Sequence, residues 1–514
     1  MKREKLLKVG AYATYSYLLV MFLMVLFFNK PGVYEFSLVK QVVCFILGSV
    51  LFGGVVVFLR DKLNIMHFFA KHDKRRLVIF FFGLFLVQLI FVAHFYTEAP
   101  YDAMVVYDAA RKLPDVPSEY FSIYPNNLLL LFIERAIYKL NEMSGSGIDL
   151  YFLLVVVNTI CIDVSLYLVY IITKKIFSLK TAVYALMLGL LLLGFTPWLS
   201  AVYTDTLSLP IGLLIFALYL KIKAESRPIA LALYSICIGV LVCGGFLLKP
   251  SATFVMIAIV LIELFLCNYK LLLKHTKKML TLGCVLTGIG VGFINTHVFY
   301  NYLLARQTLV PYDASQNFPY THWMMMGLKE TEYRGQPGFG RHTREDFLIT
   351  FELPNKTARI QKNLSVIKER LQNFGLIGYG NFIWNKSIWI LGDGTFYLGN
   401  EGILSDVSDD EGVSQFVQNI VYPSGKYYGY YVYFLQTSWL IVLFTLAFAV
   451  FCLKEYANKD FFIISCTILG TIAFILLFEG RSRYLLNNLG FFIIIASLGL
   501  EKVLALVQAK LRKN

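Results

Sequence analysis

The chain has 514 residues and a formal net charge of +14, with 58% hydrophobic, 16% aromatic and 16% charged residues and a mean hydropathy of +0.64. Soluble globular proteins carry about 25% charged residues, whereas here apolar residues come in blocks of roughly 20, enough to cross ~30 Å of hydrocarbon as a helix. A soluble enzyme, a disordered tail and a secreted disulfide scaffold are excluded; the chain reads as an all-α, polytopic integral membrane protein.

The basic residues sit in short segments between the apolar blocks, at 2–8, 60–76, 174–180, 221–227, 270–278 and 510–513. That is how orientation is encoded by the positive-inside rule, so no nucleic-acid partner is expected. All eight cysteines lie in apolar blocks without metal-ligand spacing, which supports neither a disulfide framework nor a zinc site. The first block, Val9 to Asn29, is too long for a signal h-region and is read as a retained span.

With the basic segments placed in the cytoplasm, three spans (Val9 to Asn29, Lys40 to Leu59, Leu77 to Tyr96) lead to a first outer loop at 97–149. Within it, Asn126 to Leu140 is helical in pattern but only about 15 residues long, and is read as re-entrant or interfacial. A membrane core at 150–300 follows, with spans at Leu150 to Thr173, Thr181 to Leu199, Thr206 to Lys221, Ile229 to Leu248, Ala252 to Cys267 and Leu280 to Tyr300. Residues 301–430 form a long outer segment, and 431–514 hold three more spans, giving about twelve crossings. Inside the long segment, Ile360, Leu364, Ile367, Leu371 and Phe374 keep helical spacing, with Gly375 as a stop.

This threading gathers the polar interruptions at the outer face. In Pro100-Tyr101-Asp102, the proline ends one helix and Asp102 stands where the next begins, as a general base or as an N-cap; the motif alone does not decide. Asp108, six residues on, faces another way. Asp205 is either a helix-capping turn residue or part of a site. Lys249-Pro250 follows a long apolar helix; Gly244 to Ser251 lacks the glycine before the lysine and the Ser or Thr after it, so it is no nucleotide loop. Glu479, Arg481, Arg483 and Tyr484 read as an interfacial anchor with an internal ion pair or as a phosphate site, to which arginine is suited. A lysine and two arginines on this face call for a counter-charge, from acidic side chains or from a phosphate. His322 is open to phosphate binding, proton relay or plain packing. Within the membrane, Asp163 is a functional candidate and the main feature favouring a proton-coupled transporter.

In order, the early Asp102, the Tyr124-Pro125-Asn126-Asn127-Leu128-Leu129 helix start, Asp205, the Lys249-Pro250 corner and Glu479-x-Arg481-x-Arg483-Tyr484 resemble the GT-C superfamily of polytopic glycosyltransferases. The likeness is to its protein-mannosyltransferase-like and aminoarabinose-transferase-like bacterial branch, and His322-Trp323-x-Met-Met-Gly-Leu is similar to Gram-positive members. It covers the chain from about Tyr96 onward; each motif is short and their order is the specific part. The resemblance implies a bundle of about 12–13 transmembrane or re-entrant helices whose outer loops form the site, in the plasma membrane. It implies a polyprenyl-phosphate-linked sugar donor, inverting transfer to a cell-envelope polymer, lipid or protein, and Asp102 as base with Asp205 as second acidic residue. Lys249, Arg481 and Arg483, with His322, Glu479, Tyr484, Tyr124 and Asn126, would bind substrate. Many members carry an acidic residue directly after the first Asp; Ala103 stands there, which leaves open whether a divalent metal takes part. The alternatives are a polysaccharide polymerase or ligase, and a lipid-linked sugar flippase or proton-coupled transporter.

Overall fold

The computed structural model describes residues 2–28, 37–70, 74–114, 116–267, 276–333, 336–401, 405–409 and 411–512. Parts of two basic segments, 71–73 and 268–275, and Lys513 lie outside the described residues. The main helices are α1 (Lys2–Phe28), α2 (Leu38–Asp61), α3 (Lys74–Ala93), α4 (Asp102–Arg111), α5 (Tyr120–Ile123), α6 (Leu128–Ser144), α7 (Leu150–Ile176) and α8 (Leu179–Gly189). They continue with α9 (Leu209–Ile222), α10 (Pro228–Leu248), α11 (Phe254–Leu266), α12 (Thr276–Arg306) and α13 (Tyr320–Gly327). An antiparallel hairpin, β1 (Glu330–Tyr333) and β2 (Gln336–Phe339), precedes α14 (Arg344–Phe351), α15 (Lys356–Leu391), α16 (Tyr428–Phe448), α17 (Lys459–Leu477) and α18 (Leu489–Leu511).

Among the described residues, ten helices are long and apolar enough to cross a membrane, and two shorter apolar ones, Leu179–Gly194 and Pro250–Leu266, accompany them. Each of the twelve apolar blocks in the sequence is therefore a helix, and the protein is an all-helical, multi-pass membrane protein. The core lies where α1, α7, α8, α9, α16, α17 and α18 meet, around Tyr15, Leu166, Phe216, Trp439, Phe461 and Phe492. Large side chains do not close this packing alone. A Cβ on Gly499 would collide with the carbonyl of Thr445, and one on Gly288 would stand 2.6 Å from Ser235 Cβ, so small residues let α16–α18 and α10–α12 approach closely. Helices α2, α3 and α12 turn apolar residues such as Val50, Leu51, Ile90 and Ile294 outward, as a surface solvated by acyl chains requires.

The charged helix ends sort into two sets. Lys223 pairs with Asp460, Lys459 with Glu263, Lys180 with Glu501 and Lys502 with Glu455, all at the end of the bundle away from Asp102. These pairs set the starts of α8 and α17 beside the chain leaving α9 and α11 and beside α18, as the alternation assumed in threading requires of these helices.

Three local features refine the sequence expectations. The segment read as re-entrant or interfacial, 126–140, lies mostly in α6, an amphipathic helix of 17 residues that packs on α4 and is not among the membrane-spanning candidates. Gly375 ends the first helical stretch, as expected. The chain breaks there at φ 57°, ψ −174° and a second helical stretch runs on to Leu391, entering the bundle with Lys386–Leu391 buried. The β1–β2 hairpin carries no apolar alternation in sequence and was not anticipated; its end is held against the bundle, where Gly480 N donates to Gly340 O at 2.8 Å.

Candidate functional site

Asp102 is the first residue of α4, after Tyr101 has taken φ 57°, ψ −126°; the helix before it already ends at Ala93, so Pro100 lies in the connecting loop and is not what ends that helix. A tyrosine in that left-handed region is strained, a condition that persists where surrounding contacts over-determine the backbone. Tyr101 occupies the N-cap position and no side-chain capping bond forms, so the Asp102 carboxylate is not spent on the helix end. Instead Tyr120 Oη donates to Asp102 Oδ1 at 2.8 Å, Asn127 Nδ2 donates to Tyr120 Oη at 2.6 Å, and Tyr203 Oη donates to Asn127 Oδ1 at 3.2 Å. Tyr120, Asn127 and Tyr203 are buried, while Asp102 stays partly exposed. Burial, with Tyr203 and Asp102 beside it, holds the Tyr120 phenol well above its ordinary range, so it remains a donor. The result is an accessible carboxylate with a fixed orientation.

The cationic residues stand on the other side of Tyr203. Lys249 forms an ion pair with the fully buried Asp205 and lies 4.8 Å from the centre of the Tyr484 ring. Arg483 Nε is 3.8 Å from Asp205 Oδ2, and its guanidinium covers the Tyr203 and Tyr484 rings at 5.4 and 5.5 Å. Glu479 accepts from Tyr484 Oη at 3.1 Å and pairs with Arg481 at 2.9 Å. Burial pushes the Lys249 ammonium down, against the pull of Asp205, and pushes the Glu479 carboxyl up, against Arg483. Tyr124 joins the two halves: burial first, then Asp102 and Glu479, raise its phenol, and Arg481 opposes them.

Eight residues singled out from sequence therefore come together: Asp102, Tyr124, Asp205, Lys249, Glu479, Arg481, Arg483 and Tyr484. Asn126 is exposed at their edge, bonded to Asn127 at 3.3 Å. His322 stands apart. Its Nδ1 is 2.7 Å from Thr350 Oγ1, its ring is 4.5 Å from that of Phe318, and burial pushes it down to about 3. It is a neutral, packed imidazole. Asp108 is taken by Arg111 at 2.8 Å. The counter-charges that the cations require are supplied by Asp205 and Glu479.

Sequence reasoning did not reach several contributors. Tyr120 lies in a four-residue helix that no periodicity announces. Lys386 stands between Asn385 and Ser387; its Nζ donates to the carbonyls of Gly327, Leu476 and Phe478 at 2.7, 2.9 and 2.6 Å, tying α13 and α17 together directly before Glu479. Burial pulls its ammonium down to about 7, against Glu479. His342, on the loop after β2, feels both Arg481 and Asp102.

A further buried carboxyl lies on α6, the helix that packs on α4. Glu134 of α6 is 2% exposed, and burial alone pushes it up to about 8. The folded state then holds a proton that the unfolded chain releases, so stability falls as pH rises from about 4.5 to about 8. Glu134→Gln should remove that slope, leaving stability unchanged near pH 4 and raising it above pH 8 by at most on the order of 4 kcal/mol. Thermal unfolding of both proteins at the two pH values measures this.

Among the described residues, no group of three or more His, Cys, Asp or Glu side chains is placed to hold a metal ion. The arrangement offers an accessible carboxylate able to accept a proton, facing aromatic rings and a band of buried cations. No curated protein matches the chain. A family model described as "conserved hypothetical integral membrane protein" matches residues 13–504, nearly the whole length, and the chain belongs to that family of integral membrane proteins.

Proposed function

We propose that the protein is a membrane glycosyltransferase that moves a sugar from a polyprenyl-phosphate donor to a cell-envelope acceptor, at the extracytoplasmic face of the plasma membrane. The observation that carries this reading is the oriented, partly exposed Asp102 carboxylate, whose charge reaches Arg483 in the cluster that also holds Lys249 and Arg481. Asp102 removes the proton of an acceptor hydroxyl, which attacks the anomeric carbon opposite the departing lipid phosphate, and configuration inverts. The three cations stabilise charge that grows on the phosphate as the bond breaks; because they are pre-placed and sheltered, little reorganisation is needed. Asp205 and Glu479 keep those cations buried and aligned when no phosphate is present. The activated donor supplies the driving force, so no nucleotide is consumed.

The test is transfer of radiolabelled sugar from a panel of polyprenyl-phosphate donors in membranes containing the protein. No transfer from any donor, with unchanged lipid-linked sugar pools in cells lacking the protein, would defeat the reading. Tyr120→Phe should reduce transfer about tenfold, the worth of one hydrogen bond that holds the base in line. An unchanged rate would show that Asp102 needs no such support.

A further inference from the structure

Midway along α7, Asp163 is 7% exposed and neither carboxylate oxygen has a hydrogen-bond partner. The side chain close enough to act on it is that of Gln88 on α3, itself fully buried. Gln88 Nε2 donates one of its two protons to Gly194 O at 2.9 Å, and its Oε1 is left unpartnered. Two residues past Gly194, the buried Thr196 Oγ1 also lacks a partner. The backbone here is irregular: Leu190–Gly194 is a π-helical turn, a geometry that recurs at functional sites.

No charged side chain among the described residues offsets this carboxylate. Arg75 and Arg76 of α3, Lys180 of α8 and Lys221 of α9 stand at the far ends of their helices, and Glu501 of α18 is paired with Lys180. The titratable groups nearer by are Cys161, Tyr167 and Tyr170 of α7 itself and Tyr184 of α8. An ionised carboxylate in such surroundings is expensive unless it acquires a positive charge. The unpartnered atoms here are all oxygens, which suit a hard cation.

We propose that Asp163, Gln88 and the turn from Gly194 to Thr196 form a membrane-embedded site for one exchangeable monovalent cation, a proton or a sodium ion. The site does not depend on the transferase reading, but it reaches the same cluster. Asn158, on the same helix, donates to Trp198 O and Leu199 O at 2.8 and 2.9 Å, and this turn continues directly into Tyr203 and Asp205. Occupancy fixes the segment on which those two residues stand.

Thermal unfolding of the purified full chain in lipid nanodiscs tests the site, at constant ionic strength, with sodium replacing choline at pH 8 and with a sodium-free series from pH 5 to pH 9. If the ion is sodium, the unfolding temperature rises saturably with sodium and not with potassium, and Asp163→Asn loses the whole shift. If it is a proton, sodium has no effect, but the wild type loses stability with rising pH by more than Asp163→Asn does. Gln88→Leu, which keeps the carboxylate and removes Oε1, should displace the sodium or pH midpoint about tenfold or more, the worth of one ligand. Wild type and Asp163→Asn responding identically to both ions would overturn the proposal. Should Asp163→Asn not fold, an unmoved midpoint in Gln88→Leu would overturn it equally.

Discussion

Asp102→Asn should leave the protein at normal abundance and reduce sugar transfer by about 10²–10⁴-fold, the usual contribution of a general base. The asparagine Oδ1 can still accept the Tyr120 hydroxyl, and the backbone strain at Tyr101 does not depend on the side chain that follows. Geometry is therefore kept while the charge and the proton affinity are lost. Transfer from a radiolabelled donor, scored against immunoblotted protein, reads the effect. A mutant as active as wild type would remove Asp102 from the chemistry. Asp205 would be a poor replacement, since it is fully buried against Lys249 and cannot meet an acceptor without first losing that partner.

The largest structural effect is expected from Lys249→Met. The lysine side chain is 13% exposed and its partner is at 0%, so the mutation leaves a carboxylate inside the protein. Breaking one half of a buried pair costs about 3–5 kcal/mol. Arg483 cannot take over without moving, because at 3.8 Å from Asp205 and packed on two tyrosine rings it is already held. The expected result is a large fall in unfolding temperature and in yield. Lys249→Met combined with Asp205→Asn should recover most of it, because the orphaned charge is then gone. A single mutant that costs less than about 1 kcal/mol would mean that this pair behaves as an exposed one.

How much of this was visible in the sequence depends on the range of the interaction. The helices were legible because a block of apolar residues in a membrane has few other conformations available. The convergence of Asp102, Asp205, Lys249 and Glu479–Tyr484 was legible because alternate threading puts every second interhelical corner on the same face. What was hidden is how these groups are used. Asp102 and Asp205 both stand where a capping residue stands, and sequence alone left that choice open; only the bonds to Tyr120 and Lys249 show that neither caps. His322 attracts notice as a rare histidine, yet Thr350 and Phe318 enclose it. Tyr120 drew no notice because it lies in a single helical turn, and the role of Lys386 was hidden because its three acceptors are backbone carbonyls distant in sequence.

The two short apolar helices, Leu179–Gly194 and Pro250–Leu266, are the ones that border the cluster: the first runs into the turn before Tyr203, and the second starts immediately after Lys249. At no more than 17 residues each reaches about 26 Å, less than the ~30 Å hydrocarbon thickness that the longer helices match. Such a mismatch is relieved by thinning of the adjacent leaflet. If the transferase reading holds, a leaflet thinned on this flank would bring the phosphate of a lipid-linked donor down toward Lys249 and Arg483. On that reading, acyl-chain length would control access to the site.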